Sequence, residues 1–214
     1  MIEKEEYPIL DAMLVRYPAL SEVREQILAA YNLMRGTYEN GGKLLIAGNG
    51  GSASDAEHMA AELMKKFKIP RNISINFKEK LKSINLENGK YLADSLEEAL
   101  PAIPITAFEA LSSAFANDVN SECVIAQKLY ALGNEGDIFV GISTSGNSKN
   151  IVNAAITAKA MNIEVVSLTG RSGGLLNNYS DVVIKVPEDE TYLIQEYHLP
   201  VYHCLCSMLE NYFF

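Results

Sequence analysis

Hydrophobic positions along the chain alternate between two periods. Near the start, Ile9, Leu10, Met13 and Leu14 fall on one helical stripe, and Pro18 then breaks the chain. Val23, Ile27, Tyr31 and Met34 recur at spacings of four, four and three, the mark of a second amphipathic helix that ends at Gly41-Gly42. Residues 1–41 are therefore expected to form N-terminal helices. Short apolar runs follow at 43–48 (KLLIAG), 137–142 (DIFVGI), 163–170 (IEVVSLTG) and 181–186 (DVVIKV), with 104–107 a candidate fifth. Helical stretches separate them, and the last runs over about 192–212. Continuous apolar strands divided by helices predict a parallel sheet covered on both faces. The expected fold is a doubly wound α/β sandwich on a five-stranded parallel sheet, with an N-terminal helical hairpin. Residues 68–103 break the rhythm, being charged and weakly periodic. They are expected to form one or two surface helices or a loop excursion.

Length and charge narrow the classes. A chain of 214 residues is one ordinary domain with a real core. Lys plus Arg is 18 against 27 Asp plus Glu, a net charge of −9, with no basic run. That is a poor binder of nucleic acid or anionic membranes. No stretch reaches the roughly 18 apolar residues of a membrane span. The start, MIEKEEYPIL, lacks the basic and apolar segments of a signal peptide. Cys123, Cys204 and Cys206 form neither a disulfide framework nor a CxxC pair. A cytoplasmic protein with free thiols is expected.

Two loops share one design. Gly48-Asn49-Gly50-Gly51-Ser52 follows the first strand and opens a helix, and Ser143-Thr144-Ser145-Gly146-Asn147-Ser148 does the same later. At the carboxyl edge of a parallel sheet, unpaired helix N–H groups and hydroxyls suit a phosphate. Plain helix capping by Ser and Asn is the alternative. GNGGS is not GxGxxG, which disfavours a dinucleotide. Lys65 and Lys66 are nearby cations that could assist the cradle.

The chain has three histidines. His58 and Glu62 lie four apart on one face of the helix after the first loop. Gln195 and His203 lie eight apart on the last helix, and His198 lies off their face, where a satisfied structural histidine is expected. Should the two helices meet, His58, Glu62, Gln195 and His203 could hold zinc. Metal-free acid–base catalysis by Glu62 and His203 fits the same residues. Asn117-Asp118 is a further polar pair, readable as a helix end. Pro200 sits between Gln195 and His203 and is expected to kink the helix or shift its start.

Taken together, GNGGSASDAEHMAAEL, AFANDV, GDIFVGISTSGNSKNIVNA, VVSLTG and IQEYHLPVYH resemble the sugar isomerase (SIS) domain proteins, in particular the phosphoheptose isomerases. The resemblance runs from about residue 31 to the C-terminus, leaving out 68–100. It implies that Asn49, Gly50 and Gly51 line the substrate site, with Ser52 in the same loop. It implies that Ser143, Thr144, Ser145 and Ser148 hold phosphate and that Asn117 and Asp118 contact the sugar. Glu62 matches the catalytic base and His203 the catalytic acid. His58, Glu62, Gln195 and His203 match positions that bind zinc in some members. The implied reaction is aldose–ketose isomerisation through an enediol, sedoheptulose 7-phosphate to D-glycero-D-manno-heptose 7-phosphate, for nucleotide-activated heptose. The implied assembly is a homotetramer with shared sites. Two other readings are another phosphosugar as substrate, or a non-catalytic SIS regulator binding a partner such as a replication initiator. Retention of Glu62 and His203 favours the enzyme. The chain departs from the family in the long 68–103 segment, in Pro200, and in Tyr192, which stands where the family has an acidic residue.

Overall fold

The computed structural model describes residues 7–214, so the acidic first six lie outside the described residues. Helix α1 (Pro8–Arg16) opens on a proline, whose missing N–H costs nothing at a helix start. A 3₁₀ turn over Pro18–Val23 leads into α2 (Arg24–Glu39). Then follow β1 (Leu44–Ala47), α3 (Gly51–Met64), α4 (Ile75–Ile84), α5 (Leu86–Ser95) and β2 (Ala102–Pro104). After these come α6 (Glu109–Phe115), α7 (Val124–Leu132), β3 (Ile138–Ile142), α8 (Lys149–Ala160), β4 (Glu164–Thr169), β5 (Val182–Lys185) and α9 (Thr191–Phe213). Among the described residues no helix is long and apolar enough to cross a membrane.

The five strands form one all-parallel sheet in the order β2-β1-β3-β4-β5. Alternate residues serve opposite faces, as the period of two demands. Leu44, Ile46, Val140 and Val166 join the core under α1, α2, α3 and α9. Leu45, Phe139 and Val165 join the second core under α7 and α8. The expected sandwich is therefore present, with one boundary corrected. The fifth strand is 102–104 rather than 104–107. Pro104 donates no ladder hydrogen bond, which an edge strand tolerates.

The 68–103 stretch resolves into two helices and the start of β2. Helices α4 and α5 pack on each other, and a single antiparallel bridge, Asn72 with Glu97, ties their base. α4 has no buried residue, and Ile84 is 84% exposed.

Pro200 does not shift the start of α9, which runs unbroken from Thr191 to Phe213. Burial of Pro200, Val201 and Leu205 holds the helix across the missing donor.

Candidate active site

The order β2-β1-β3-β4-β5 reverses its winding between β1 and β3. A crevice opens outside the strand ends at such a point. Both Ser/Gly loops flank it. Asn49 from the first and Asn150 from α8 pair across it, each amide donating to the other's oxygen at 2.9 and 2.8 Å.

Neither cap residue, Gly50 or Ser148, closes its helix with a side chain, although Asn150 Oδ1 accepts the Ile151 N–H at 3.0 Å in the first turn of α8. α3 starts after Gly50 and α8 after Ser148, and neither cap position makes a side-chain hydrogen bond to its helix. Instead the Ser143 hydroxyl donates to Ser148 Oγ at 3.0 Å, inside the loop. The first N–H groups of a helix lack intrahelical acceptors, and here no hydroxyl of the cap residue covers them. That removes plain capping as the reason for these hydroxyls. Gly146 is required by shape: its φ is +66°, and a Cβ would lie 2.1 Å from the Gly173 carbonyl oxygen. Asn147 braces the turn, taking the Leu175 N–H at 2.9 Å. Ser143 and Ser52 are buried, while Ser145 and Asn49 are exposed.

α3 and α9 pack together and bring the histidine pairs into contact. His58 Nε2 lies 3.3 Å from Glu62 Oε1 and 3.5 Å from His203 Nε2. The two imidazoles meet edge to face at 4.9 Å, and Phe67 leans on His203. Glu62 is buried, and its second oxygen takes Lys65 Nζ at 3.0 Å. Burial pushes the His203 pKa down, the neighbouring His58 adds to this, and Glu62 opposes it. His203 is therefore held toward its neutral form at ordinary pH. On its other side His203 borders a cavity of about 230 Å³ lined also by Arg16, Tyr17, Lys68 and Leu199.

Two imidazole nitrogens and a carboxylate oxygen are zinc donors. A zinc ion at about 2.0–2.1 Å from tetrahedral donors spaces them about 3.3–3.4 Å apart. The two measured separations fit that spacing. Among the described residues, however, no group of three or more His, Cys, Asp or Glu side chains is placed to hold a metal ion. Gln195 is not with the histidines. Its amide lies against Gly51, 2.8 Å from where a Cβ would sit. The helix rise puts Gly51 about 10 Å from His58 along α3.

Several expectations change here. Lys65 and Lys66 are not free for a phosphate, since they pair with Glu62 and Glu97. His198 is buried but not satisfied: neither ring nitrogen closes a sound hydrogen bond. Burial lowers its pKa to about 4, and a weak interaction with the Thr169 backbone opposes this. Asn117 and Asp118 are exposed, in a π-helical turn over Ala116–Asn120. The Asn117 amide donates to Asp118 at 2.8 Å. Tyr192 points to solvent. Sequence reasoning missed Asn150, Asp55 and Tyr202. Only their places beside the motifs, Asp55 three residues before His58 and Tyr202 just before His203, could have flagged them.

A family model described as SIS domain matches residues 13–99 and 92–170. A phosphoheptose isomerase of Helicobacter pylori (strain P12) is 38% identical over 195 residues, covering 91% of this chain and 88% of the relative. Solved structures of phosphoheptose isomerases from Neisseria gonorrhoeae and Francisella tularensis each superpose with a TM-score of 0.73 at 31% identity, covering 94% of both chains. With a doubly wound sheet, two uncapped helix starts at its switch point and the paired His–Glu and histidine helices, the chain belongs to the SIS domain family and is related to its phosphoheptose isomerases.

Proposed function

We propose that this chain is an aldose–ketose isomerase that converts sedoheptulose 7-phosphate to D-glycero-D-manno-heptose 7-phosphate. The observation that carries the reading is the meeting of Glu62 and His203 at His58, on helices that begin at or pack beside the uncapped loops. Ser143, Thr144, Ser145 and Ser148 hold the phosphate, with the first N–H groups of α8. Because the chain is acidic overall, this attraction is local. Asn49, Gly50, Gly51, Ser52 and Gln195 line the substrate beyond it, and Asn117 and Asp118 reach the sugar.

Isomerisation moves one carbon-bound proton between C1 and C2 through an enediol, while the hydroxyl and carbonyl oxygens exchange a proton. Glu62 takes the carbon-bound proton and returns it to the neighbouring carbon. His203, held toward neutrality, passes a proton between the two oxygens. A zinc ion would draw on His58, Glu62 and His203 as donors, whereas Gln195, lying against Gly51, stands apart from them. When bound it would polarise the carbonyl and stabilise negative charge on the oxygens.

The helix rise sets Glu62 about 16 Å beyond Gly51 along α3. A site this long suits the shared-site homotetramer that the family resemblance implies, in the cytoplasm. Nucleotide-activated heptose formation would consume the product.

The test is solvent-proton exchange at C1/C2 of sedoheptulose 7-phosphate, read by NMR with and without zinc. Exchange and turnover are expected in the wild type and lost in Glu62→Gln and His203→Ala. Full turnover in both variants overturns the roles. Turnover of other ketose phosphates alone overturns the substrate.

A further inference from the structure

Between β2 and α7 the chain carries Asn117 and Asp118, yet no residue from Phe108 to Glu122 is buried. Because every strand is parallel, this segment leaves β2 at the same sheet edge as the two Ser/Gly loops. A stretch without packed side chains is set in place by its ends. At the far end the Glu122 carboxylate takes Lys149 Nζ at 2.9 Å, and its carbonyl takes the Asn153 amide at 3.0 Å. Both members of that ion pair are exposed, where such a pair holds little.

The near end is built differently. Lys128, on α7, is 1% exposed. Its Nζ donates to the Thr106 carbonyl at 3.3 Å, to Ser112 Oγ at 2.6 Å and to the Ala107 carbonyl. An ammonium has three donors and no acceptor, so these three partners satisfy it. The Ser112 hydroxyl accepts from Lys128 and donates its own proton to the Phe108 carbonyl at 3.0 Å. Carbonyls of three successive residues, 106 to 108, are thus gathered on one cation, directly or through Ser112. Burial lowers the Lys128 pKa, and among the described residues no carboxylate opposes that. A charge buried in this way is costly unless its hydrogen bonds offset the loss of water. What it holds is a turn that side chains rarely adopt: Phe108 has φ +69°, an outlier for a bulky residue. Phe108 leads directly into α6, makes no side-chain cap, and is followed by a helix without a buried residue.

We propose that Lys128 is a positioning residue: by clamping the Thr106–Phe108 turn and the first turn of α6, it sets where Asn117 and Asp118 stand at the crevice. Without the ammonium, the Thr106 and Ala107 carbonyls lose their donor and Ser112 loses its partner. The left-handed turn then relaxes, and α6 has no packing of its own to hold it. The Asn117–Asp118 pair must be ordered anew at each binding event, which weakens binding of the sugar more than it slows the proton transfers. This inference rests on the reading of Asn117 and Asp118 as sugar contacts, and does not depend on a metal or on the roles of Glu62 and His203.

The experiment compares the full-length wild type with Lys128→Met, which keeps the length of the side chain and removes its donors. Amide exchange in the free protein reads the clamp apart from any sugar. Exchange over residues 106–120 should quicken about 10–100-fold, the size of losing hydrogen bonds to a charged group, while the sheet stays protected. KM for sedoheptulose 7-phosphate should rise about 10-fold with kcat changed less. Inhibition by inorganic phosphate, which probes the hydroxyl loop alone, should not change. In an Asp118→Ala background Lys128→Met should add nothing further to KM, because the contact it positions is already gone. Should Lys128→Met fail to fold, Ser112→Ala keeps the cation, cuts its link to Phe108, and should give the same pattern at smaller size. Unchanged exchange over 106–120 overturns the proposal whatever the kinetics. So does a KM rise that is equally large in the Asp118→Ala background, or that comes with an equal loss of phosphate inhibition, since either marks general damage. Faster exchange beside a wild-type KM in both Asn117→Ala and Asp118→Ala confirms the clamp and removes the pair from the sugar site.

Discussion

The helices of the α4–α5 hairpin and the helices of the site begin in opposite ways. Ser74 caps α4 by accepting the Phe77 N–H at 3.3 Å, and Asn85 caps α5 by accepting the Asn88 N–H at 2.8 Å. α3 and α8 carry as much Ser, Asn and Gly at their starts, but their cap residues, Gly50 and Ser148, make no side-chain cap. Side-chain chemistry is alike in the two regions. What differs is where the chain enters. The hairpin helices start in solvent, where closing an orphan N–H on a local oxygen is the stable solution. α3 and α8 start at the mouth of a parallel sheet, where Ser148 is turned to Ser143 and Gly50 has no side chain to offer. Stability is spent locally in one region and withheld in the other, which leaves donors for a ligand.

The junction of the two regions should be the most sensitive point. Arg71, at the hairpin root, bonds Glu210 at 3.0 Å and donates to the Leu63 and Glu62 carbonyls at 2.6 and 3.0 Å. Glu210 also takes the Phe67 and Lys68 N–H groups. Both side chains are buried. Glu210→Ala leaves the guanidinium uncompensated and should cost about 3–5 kcal/mol in urea unfolding. A cost under 1 kcal/mol would mean that the hairpin root is not fixed there.

His198 gives the next largest effect. Its folded pKa of about 4 lies below the 6.5 of the unfolded chain, so between these values the unfolded state binds more protons. Stability contributed by its neutral burial is therefore present above pH 6.5 and lost as pH falls toward 4. The loss is about 3 kcal/mol at most. His198→Gln should flatten the stability profile over that window, and an unchanged slope would assign the acid sensitivity elsewhere.

Capping provides the sharpest contrast. Ser74→Ala and Asn85→Ala should each cost the hairpin about 1 kcal/mol, read by amide exchange in α4 and α5. Ser148→Ala removes no cap and should leave thermal stability nearly unchanged while raising KM for a sugar phosphate. A reversed pattern, with stability lost in Ser148→Ala and KM unmoved, would make the second loop an ordinary helix start. The smallest effect is expected at Ile84→Lys, within about 0.5 kcal/mol, because the side chain leaves nothing when exposed so fully.

Much of this was readable from the chain. The strands 137–142 and 163–170 are apolar throughout because both faces are covered, and α2 shows its stripe because only one face is. The failures share a cause. Residues 104–107 look like a strand from composition, but the pairing of Leu44 with Ala102 sets the register earlier. Pro200 looks like a break, but its burial carries α9 through. Lys65 and Lys66 look available to a phosphate until their acidic partners are located. His198 looks like any core histidine until its missing partners are counted.

By itself the sequence determined the layers, the two loops and the pairing of His58 with Glu62, because each depends on residues a few positions apart. The tertiary structure alone decided which helix starts stay open and which side chains meet across the chain. Asn49 finds Asn150 101 residues away, Arg71 finds Glu210 139 away, and Tyr202 finds His58 144 away. Local periodicity fixes which face a residue occupies. Only the packing of α3 against α9, and of both on the sheet, fixes what that face touches.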